Sequence, residues 1–317
     1  MMTDSSQGYD VLGLFGLVAP ERSDELAALV REYNPAFLVA NDQPSFLLEA
    51  SPSFGFVRYV NRALLHVWVL AWVMWKEMYC WSSELWFLAK DGKPFVLAEL
   101  DALPDQAASY ADAEAVYSEA MAFIQSNPLE WTLWPSQVPR PLEIAAGTQE
   151  DWVVKDFVHH ALAFFFLHEL RHIVLHHDGI QFESQHDEEL ECDRWAADFL
   201  LARSDLYAAA AAEDATKVKS KRAMGVALGT AVIAHIQELG LWEAGTQHPP
   251  IAERMKNLVS ALALPGTDLS WTVACSFLLA GLRRRAVVPD RLEFQDHRDS
   301  FMKLLAAPTN WEGHPGT

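Results

Sequence analysis

Residues 161–177 read ALAFFFLHELRHIVLHH. Leu162, Phe165, Phe166, Leu170, Ile173 and Val174 mark this stretch as a helix buried in a core. Inside it sits the pattern His168-Glu169-x-x-His172. A helix turns once every 3.6 residues, so side chains four apart lie one above the other. His168 and His172 can therefore point both imidazoles at one metal ion. Glu169 flanks the same place, where a carboxylate can take a proton from an activated water. The motif alone is only suggestive, but two histidines and a glutamate inside a buried helix need partners. A metal is the simplest one. Zn2+ suits two imidazoles and one carboxylate, with a fourth position left for water.

Outward from the motif, the helix is expected to run from about residue 150 to residue 177, where Asp178-Gly179 ends it. A second helix is expected over residues 187–202, opening on HDEELECDRWAADFLLA. Glu188, Glu189, Glu191 and Asp193 compete there for the place of third ligand. Glu189 and Asp193 are four apart and share a face, so one can bind the metal while the other hydrogen-bonds a ligand imidazole. Glu189 is taken as the ligand and Asp193 as its support. An acidic helix N-terminus, favoured by the helix dipole, accounts for Asp187 and Glu188. His160, His176 and His177 lie near the same helix and are read as outside the ligand set. Residues 221–242 suggest a third long helix. Residues 246–258, TQHPPIAERMKNL, suggest another, with the proline pair in its first turn. His248 and Arg254 either reach the neighbouring cleft, as oxyanion donors, or are a cap residue and a surface arginine. Residues 271–282 and 291–305 read as two closing helices.

Toward the N-terminus, residues 127–143 carry Pro128, Pro135, Pro139 and Pro141 and cannot form one regular element. Trp131 and Trp134 suggest that this segment is packed down. The expected division is an N-terminal α+β region (residues 1–127), a Pro/Trp-rich linker (residues 128–149) and a helical domain that carries the His-Glu-x-x-His motif (residues 150–317), unless the whole forms one compact domain. Residues 111–126 read as an amphipathic helix, and Lys90-Asp91-Gly92-Lys93 as a turn. The longest apolar run, residues 63–75, is shorter than the roughly 18 residues of a membrane span, so it reads as a core helix with Trp68, Trp72 and Trp75 packed inside. Before it, three short apolar runs at residues 37–40, 46–50 and 54–60 suggest a small antiparallel sheet, punctuated by Asn41-Asp42 and Ser51-Pro52. The fold class expected is α+β and mostly helical.

The chain has 317 residues and a formal net charge of −19. That surface repels nucleic-acid phosphates and anionic membranes, so neither is expected as a partner. Cys80, Cys192 and Cys275 are scattered and form no Cys-x-x-Cys pair, which fits a reducing cytoplasm. The N-terminus carries Asp4 and Asp10 but no Lys or Arg, so no secretory signal is read there.

His168-Glu169-Leu170-Arg171-His172, then Glu189 to Asp193, then His248-Pro249-Pro250 with Arg254, resembles the motif order of the gluzincin metallopeptidases. In that group the third-ligand helix reads Glu-x-x-x-Asp and its glutamate binds zinc. More narrowly, the chain resembles the Lit family of phage-exclusion peptidases. The likeness runs over residues 54–264, through the Trp-rich helix, Trp134-Pro135, Pro139-x-Pro141 and Lys221-Arg222-Ala223. Cys192 departs from it, since relatives commonly carry Ala there. The resemblance implies a gluzincin-like helical core, with Zn2+ on His168, His172 and Glu189 and with Glu169 as the base. It also implies a cytoplasmic bacterial suicide protease for antiviral defence by abortive infection. A phage-derived activator triggers such a protease, which cuts a translation factor such as elongation factor Tu. A closed resting site is expected with it.

Three other readings compete. An HtpX-like quality-control protease would carry a membrane span, and none is read. A regulator-cleaving protease would carry a helix-turn-helix module, and none stands out. A zinc-stabilised binding protein would have no use for Glu169.

Overall fold

The computed structural model describes residues 9–40, 46–127, 129–141, 147–236 and 248–307. Two short helices, α1 (Val11–Val18) and α2 (Ser23–Tyr33), lead into strands β1 (Ala36–Val39), β2 (Leu48–Ser51) and β3 (Phe56–Tyr59). The long helix α3 (Asn61–Asp91) follows, then β4 (Phe95–Val96), α4 (Leu97–Asp101) and α5 (Pro104–Gln125). Beyond them come α6 (Gln149–His177), α7 (Gln185–Leu201), α8 (Ser204–Ala211), α9 (Ala215–Ile236), α10 (Ile251–Leu262) and α11 (Leu269–Arg284). A short strand β5 (Arg291–Leu292), paired with β4, and helix α12 (His297–Ala306) close the chain. The fold is mostly helical α+β, and no described helix is long and apolar enough to cross a membrane.

Helix α6 is the axis of the molecule. Its apolar residues face inward on several sides, and it packs against α9, α7, α3, α1 and the sheet. Thr148 starts it with a capping box. The Thr148 hydroxyl accepts from the Asp151 N–H at 3.2 Å, and the Asp151 carboxylate accepts from the Thr148 N–H at 2.5 Å. Gly179 ends it in the left-handed region at φ 67°, with Gly179 N–H on the His176 carbonyl and Ile180 N–H on the Leu175 carbonyl. Helix α9 comes close to α6 because Gly225 and Gly229 have no side chain. A Cβ at Gly225 would collide with the His160 Cβ, and one at Gly229 would lie 3.3 Å from Phe164.

The sheet departs from the all-antiparallel expectation. Its order is β1-β3-β2, with β1 parallel to β3 and β2 antiparallel to it. The β1-to-β2 connection allows this by placing the two strands on opposite sides of β3. Tyr59 and Phe37 both set ring edges against Phe166 of α6, which seats the sheet on that helix. Helix α3 extends well past the apolar run at residues 63–75, because its later turns bury Glu77, Cys80, Trp81 and Leu85 along one side. The third long helix, α9, begins at Ala215, six residues earlier than expected. Residues 291–305 do not form one helix. They open as β5, and α12 starts only where Asp296 caps the Asp299 N–H at 2.7 Å. Pro250 is the cap of α10 rather than part of its first turn. Trp134 stacks edge-on against Phe123 of α5, and Trp68 of α3 donates to the Pro139 carbonyl at 2.8 Å, so the proline segment is pinned. The expectations for residues 1–8, Asn41-Asp42, Pro128, residues 142–146 and residues 237–247 lie outside the described residues.

Arg284 of α11 ties α3 to α5, reaching Glu77 at 2.5 Å and Glu114 at 2.6 Å while lying over the Tyr117 ring. Burial pushes the Glu77 carboxyl up to about 7 even beside this guanidinium. An acid whose folded pKa exceeds its unfolded value stabilises the fold fully below the unfolded value and less as pH rises through the folded one. Between about pH 5 and about pH 8, wild type should therefore lose melting temperature relative to Glu77→Gln. A difference that stays constant with pH would show the carboxyl titrating normally. Gly225→Ala tests the α6–α9 contact. It should cost about 1–3 kcal/mol by overpacking despite alanine's better helix propensity, read as a lower urea midpoint.

Candidate metal centre

One turn of α6 and the first turns of α7 make the site. His168 and His172 stack their rings edge to face on α6, with their Nε2 atoms 3.3 Å apart. Glu189 enters from α7. Its Oε2 lies 3.3 Å from His168 Nε2 and its Oε1 lies 3.3 Å from His172 Nε2. Three donor atoms thus face one point, and the group could hold a metal ion. The spacing fits: ligands at about 2.0–2.1 Å on tetrahedral corners lie roughly 3.3 Å apart.

The surroundings orient each donor. His168 Nδ1 lies 2.9 Å from Asp193 Oδ1, which leaves Nε2 turned toward Glu189. Arg254 of α10 clamps the same Asp193, with Nε donating at 2.7 Å and Nη2 at 2.6 Å. His172 Nδ1 lies 2.7 Å from Glu188 Oε1. His248, which is half-exposed just before α10, places Nδ1 2.9 Å from Glu189 Oε2. Glu169 Oε2 accepts from the Ala50 N–H of β2 at 2.6 Å.

The electrostatics call for a cation. Burial pushes the Glu189 carboxyl up, but hydrogen bonds from His168, His172 and His248 hold it far below the usual carboxylate range. Burial acts the same way on Asp193, yet the Arg254 guanidinium and His168 hold it at about 2. Burial favours a neutral His168 ring, but Asp193 and Glu189 raise it to about 10. His172 is raised too, against its burial, by Glu189. Burial pushes the Glu169 carboxyl up, and the two imidazoles only partly offset this. The carboxylates thus favour positive charge on the two imidazoles. A metal cation would supply that positive charge instead.

The structure brings together His168, His172, Glu189, Asp193, Glu169 and His248. Arg254 is placed differently from the expectation. It is buried, and its Nε and Nη2 are spent on Asp193, so it braces the His168 support and does not face the cleft as an oxyanion donor. Glu191 pairs with Arg171 at 3.0 Å, away from the ligand atoms. His160 is buried with Nδ1 2.8 Å from the Asp156 carbonyl, and His176 and His177 are exposed. Two roles went unassigned. Glu188 was weighed as a third ligand and otherwise explained by the helix dipole, but the structure sets it on the second imidazole, His172. Ala50 acts through its backbone, which has no signature in the side-chain pattern.

The site is a His-His-Glu group on two helices that could hold a metal ion, next to the Glu169 carboxylate, which accepts from the Ala50 N–H. The peptidase U49 family model matches residues 57–274, and the chain belongs to that family. A 136-residue stretch is 27% identical to the cell death peptidase of Escherichia coli (strain K12), covering 43% of this chain and 43% of that protein. The chain thus spans less than half the length of that curated relative. No solved structure matches the chain.

Glu188→Ala tests how the second imidazole is oriented. Metal affinity, measured against a competing chelator, should fall about 10–100-fold with the helical circular dichroism unchanged. An unchanged affinity would remove Glu188 from the site.

Proposed function

We propose that the chain is a zinc-dependent endopeptidase, and that it serves as a phage-triggered abortive-infection protease acting on a host translation factor. The observation that carries the first part is the convergence of His168, His172 and Glu189 on one point with Glu169 alongside. Two imidazoles and a carboxylate at these separations favour zinc over the oxygen-loving cations. The second part rests on family membership and on the likeness to a cell death peptidase. In this reading the protein is cytoplasmic, and its substrate is a protein such as elongation factor Tu.

Bound zinc would supply Lewis-acid chemistry, activating water and polarising the scissile carbonyl. His168, His172 and Glu189 would hold the ion. Asp193 and Glu188 fix the imidazoles through their Nδ1 atoms, so that both Nε2 atoms stay turned inward. Arg254 in turn fixes Asp193. Glu169 is the general base. Ala50 holds its Oε2, so the other oxygen takes the proton from water as the water oxygen bonds to the carbonyl carbon. Burial raises its carboxyl toward the working pH, which eases the return of that proton to the leaving amine as the C–N bond breaks. His248 gives its Nδ1 to Glu189 at the open side, and in its imidazolium form it would also have an Nε2–H for the oxyanion.

Glu169→Gln should keep a full zinc content by elemental analysis and lose protein cleavage by about 10²–10⁴-fold. Proteolysis retained in that variant refutes the base. His172→Ala should lose the metal as well. For the cellular role, wild type and Glu169→Gln are expressed in bacteria with and without phage. A fragment of elongation factor Tu that appears only with wild type and phage is the expected outcome. Cleavage of purified substrates without any such fragment would keep the peptidase and discard the abortive-infection role.

A further inference from the structure

The turn between β2 and β3 carries the most exposed large apolar side chain among the described residues, Phe54, at 79%. The turn itself is stiff. Pro52 opens it as one 3-10 turn, Gly55 closes it in the left-handed region at φ 68°, and the Gly55 N–H donates to the Pro52 carbonyl at 3.2 Å. The Ala36 N–H of β1 donates to the Gly55 carbonyl at 3.0 Å, which ties the turn to the sheet. Phe54 is therefore held out in solvent by its backbone. It lies on Phe56 of β3, with ring centroids 6.2 Å apart and planes at 24°.

An exposed aromatic residue at a turn is by itself ordinary. Its level along α6 is not. Tyr59 of β3 meets Phe166, and the Ala50 N–H of β2, opposite Val57, reaches Glu169. Two strand residues, Tyr59 to Val57, thus answer to three helix residues, Phe166 to Glu169. The hairpin runs toward the C-terminal end of α6 as it nears its turn. The next two strand residues, Ala50 to Pro52, bring the turn level with His172, and the turn packs on α6. The exposed ring therefore stands beside the metal centre, a few residues along the chain from the backbone that holds Glu169.

We propose that Phe54, backed by Phe56, selects the substrate: its ring takes a large aliphatic or aromatic side chain next to the bond to be cut. The proposal rests on the peptidase reading. A leucine or phenylalanine side chain laid on the two rings removes apolar surface from water on both partners. A serine in its place leaves Phe54 as exposed as before. The ring pair loses little freedom in the contact, because the turn has already fixed it. Phe54 sorts peptides and takes no part in the proton transfers.

Two end-blocked peptides test it, Ala-Ala-Ala-Leu-Ala-Ala and the same chain with Ser for Leu. Their binding is measured calorimetrically on the zinc-loaded full chain carrying Glu169→Gln, which should hold them uncut. Their cleavage is measured on the zinc-loaded wild type. The leucine peptide should bind about tenfold or more tighter than the serine peptide and be cut at a bond to its leucine. Adding Phe54→Ala should bring the leucine peptide down to the serine value, with zinc content and helical circular dichroism unchanged. Phe54→Leu should restore most of the difference. Equal binding of the two peptides, binding of neither, or a leucine preference that survives Phe54→Ala overturns the proposal. A preference that depends on Phe54, with no cleavage by wild type, keeps the aromatic contact and discards the peptidase reading instead.

Discussion

Two buried carboxylates that must find their positive partners inside the protein hold this structure in its arrangement. Glu189 is 3% exposed and Asp193 is fully buried. Removing an ionised carboxylate from water costs several kcal/mol even after relaxation. Each must therefore find charge and hydrogen bonds inside the protein. Asp193 takes both from Arg254, itself buried, and a third contact from His168. Glu189 takes its contacts from three imidazoles on two sides. These demands draw α6, α7 and α10 to one place, and no hydrophobic pattern would specify that meeting so narrowly. Hydrophobic burial drives the helices together; the carboxylates decide their register.

The same constraint explains the order of the residues outward from the metal point. Imidazole nitrogens that face a cation must keep their opposite nitrogens occupied, or the rings turn. Asp193 does this for His168 and Glu188 for His172. Arg254 then fixes Asp193 with two hydrogen bonds. Each layer fixes the one inside it, and the outermost layer is anchored in packed helices: α10 presses on α7 through Asn257 and Leu190, and α9 lies tight on α6 at Gly225.

How much of this could be read from the sequence follows the range of the forces involved. The α6 and α7 helices and the meeting of His168, His172 and Glu189 were legible because i, i+4 spacing is a local property, and so was the pairing of Asp193 with an imidazole. Arg254 was found but misplaced. The spacing places it on the helix after His248, yet nothing local says whether it turns to the cleft or inward to Asp193. Glu188 was passed over because a helix dipole explains it equally well. The direction of β1 was misread because short apolar runs show that strands exist but not how they pair. Where α12 begins depended on a cap at Asp296, which the apolar periodicity of residues 291–305 obscures.

The contact on Glu169 carries the point furthest. Its donor, Ala50, belongs to β2, which lies outside the span of residues 57–274 matched by the family model. A backbone N–H can be supplied by any residue except proline, so this strand is free to vary in sequence while its position is held. That position is set inside the matched span. Ala50 pairs with Val57 of β3, and Tyr59, two residues on, rests its ring on Phe166 of α6. The distance from Phe166 to Glu169 along the helix and the step from Tyr59 back to Val57 along the strand then bring the Ala50 N–H onto the carboxylate. A part of the site that sequence comparison does not reach is thereby located by strand register and one aromatic contact.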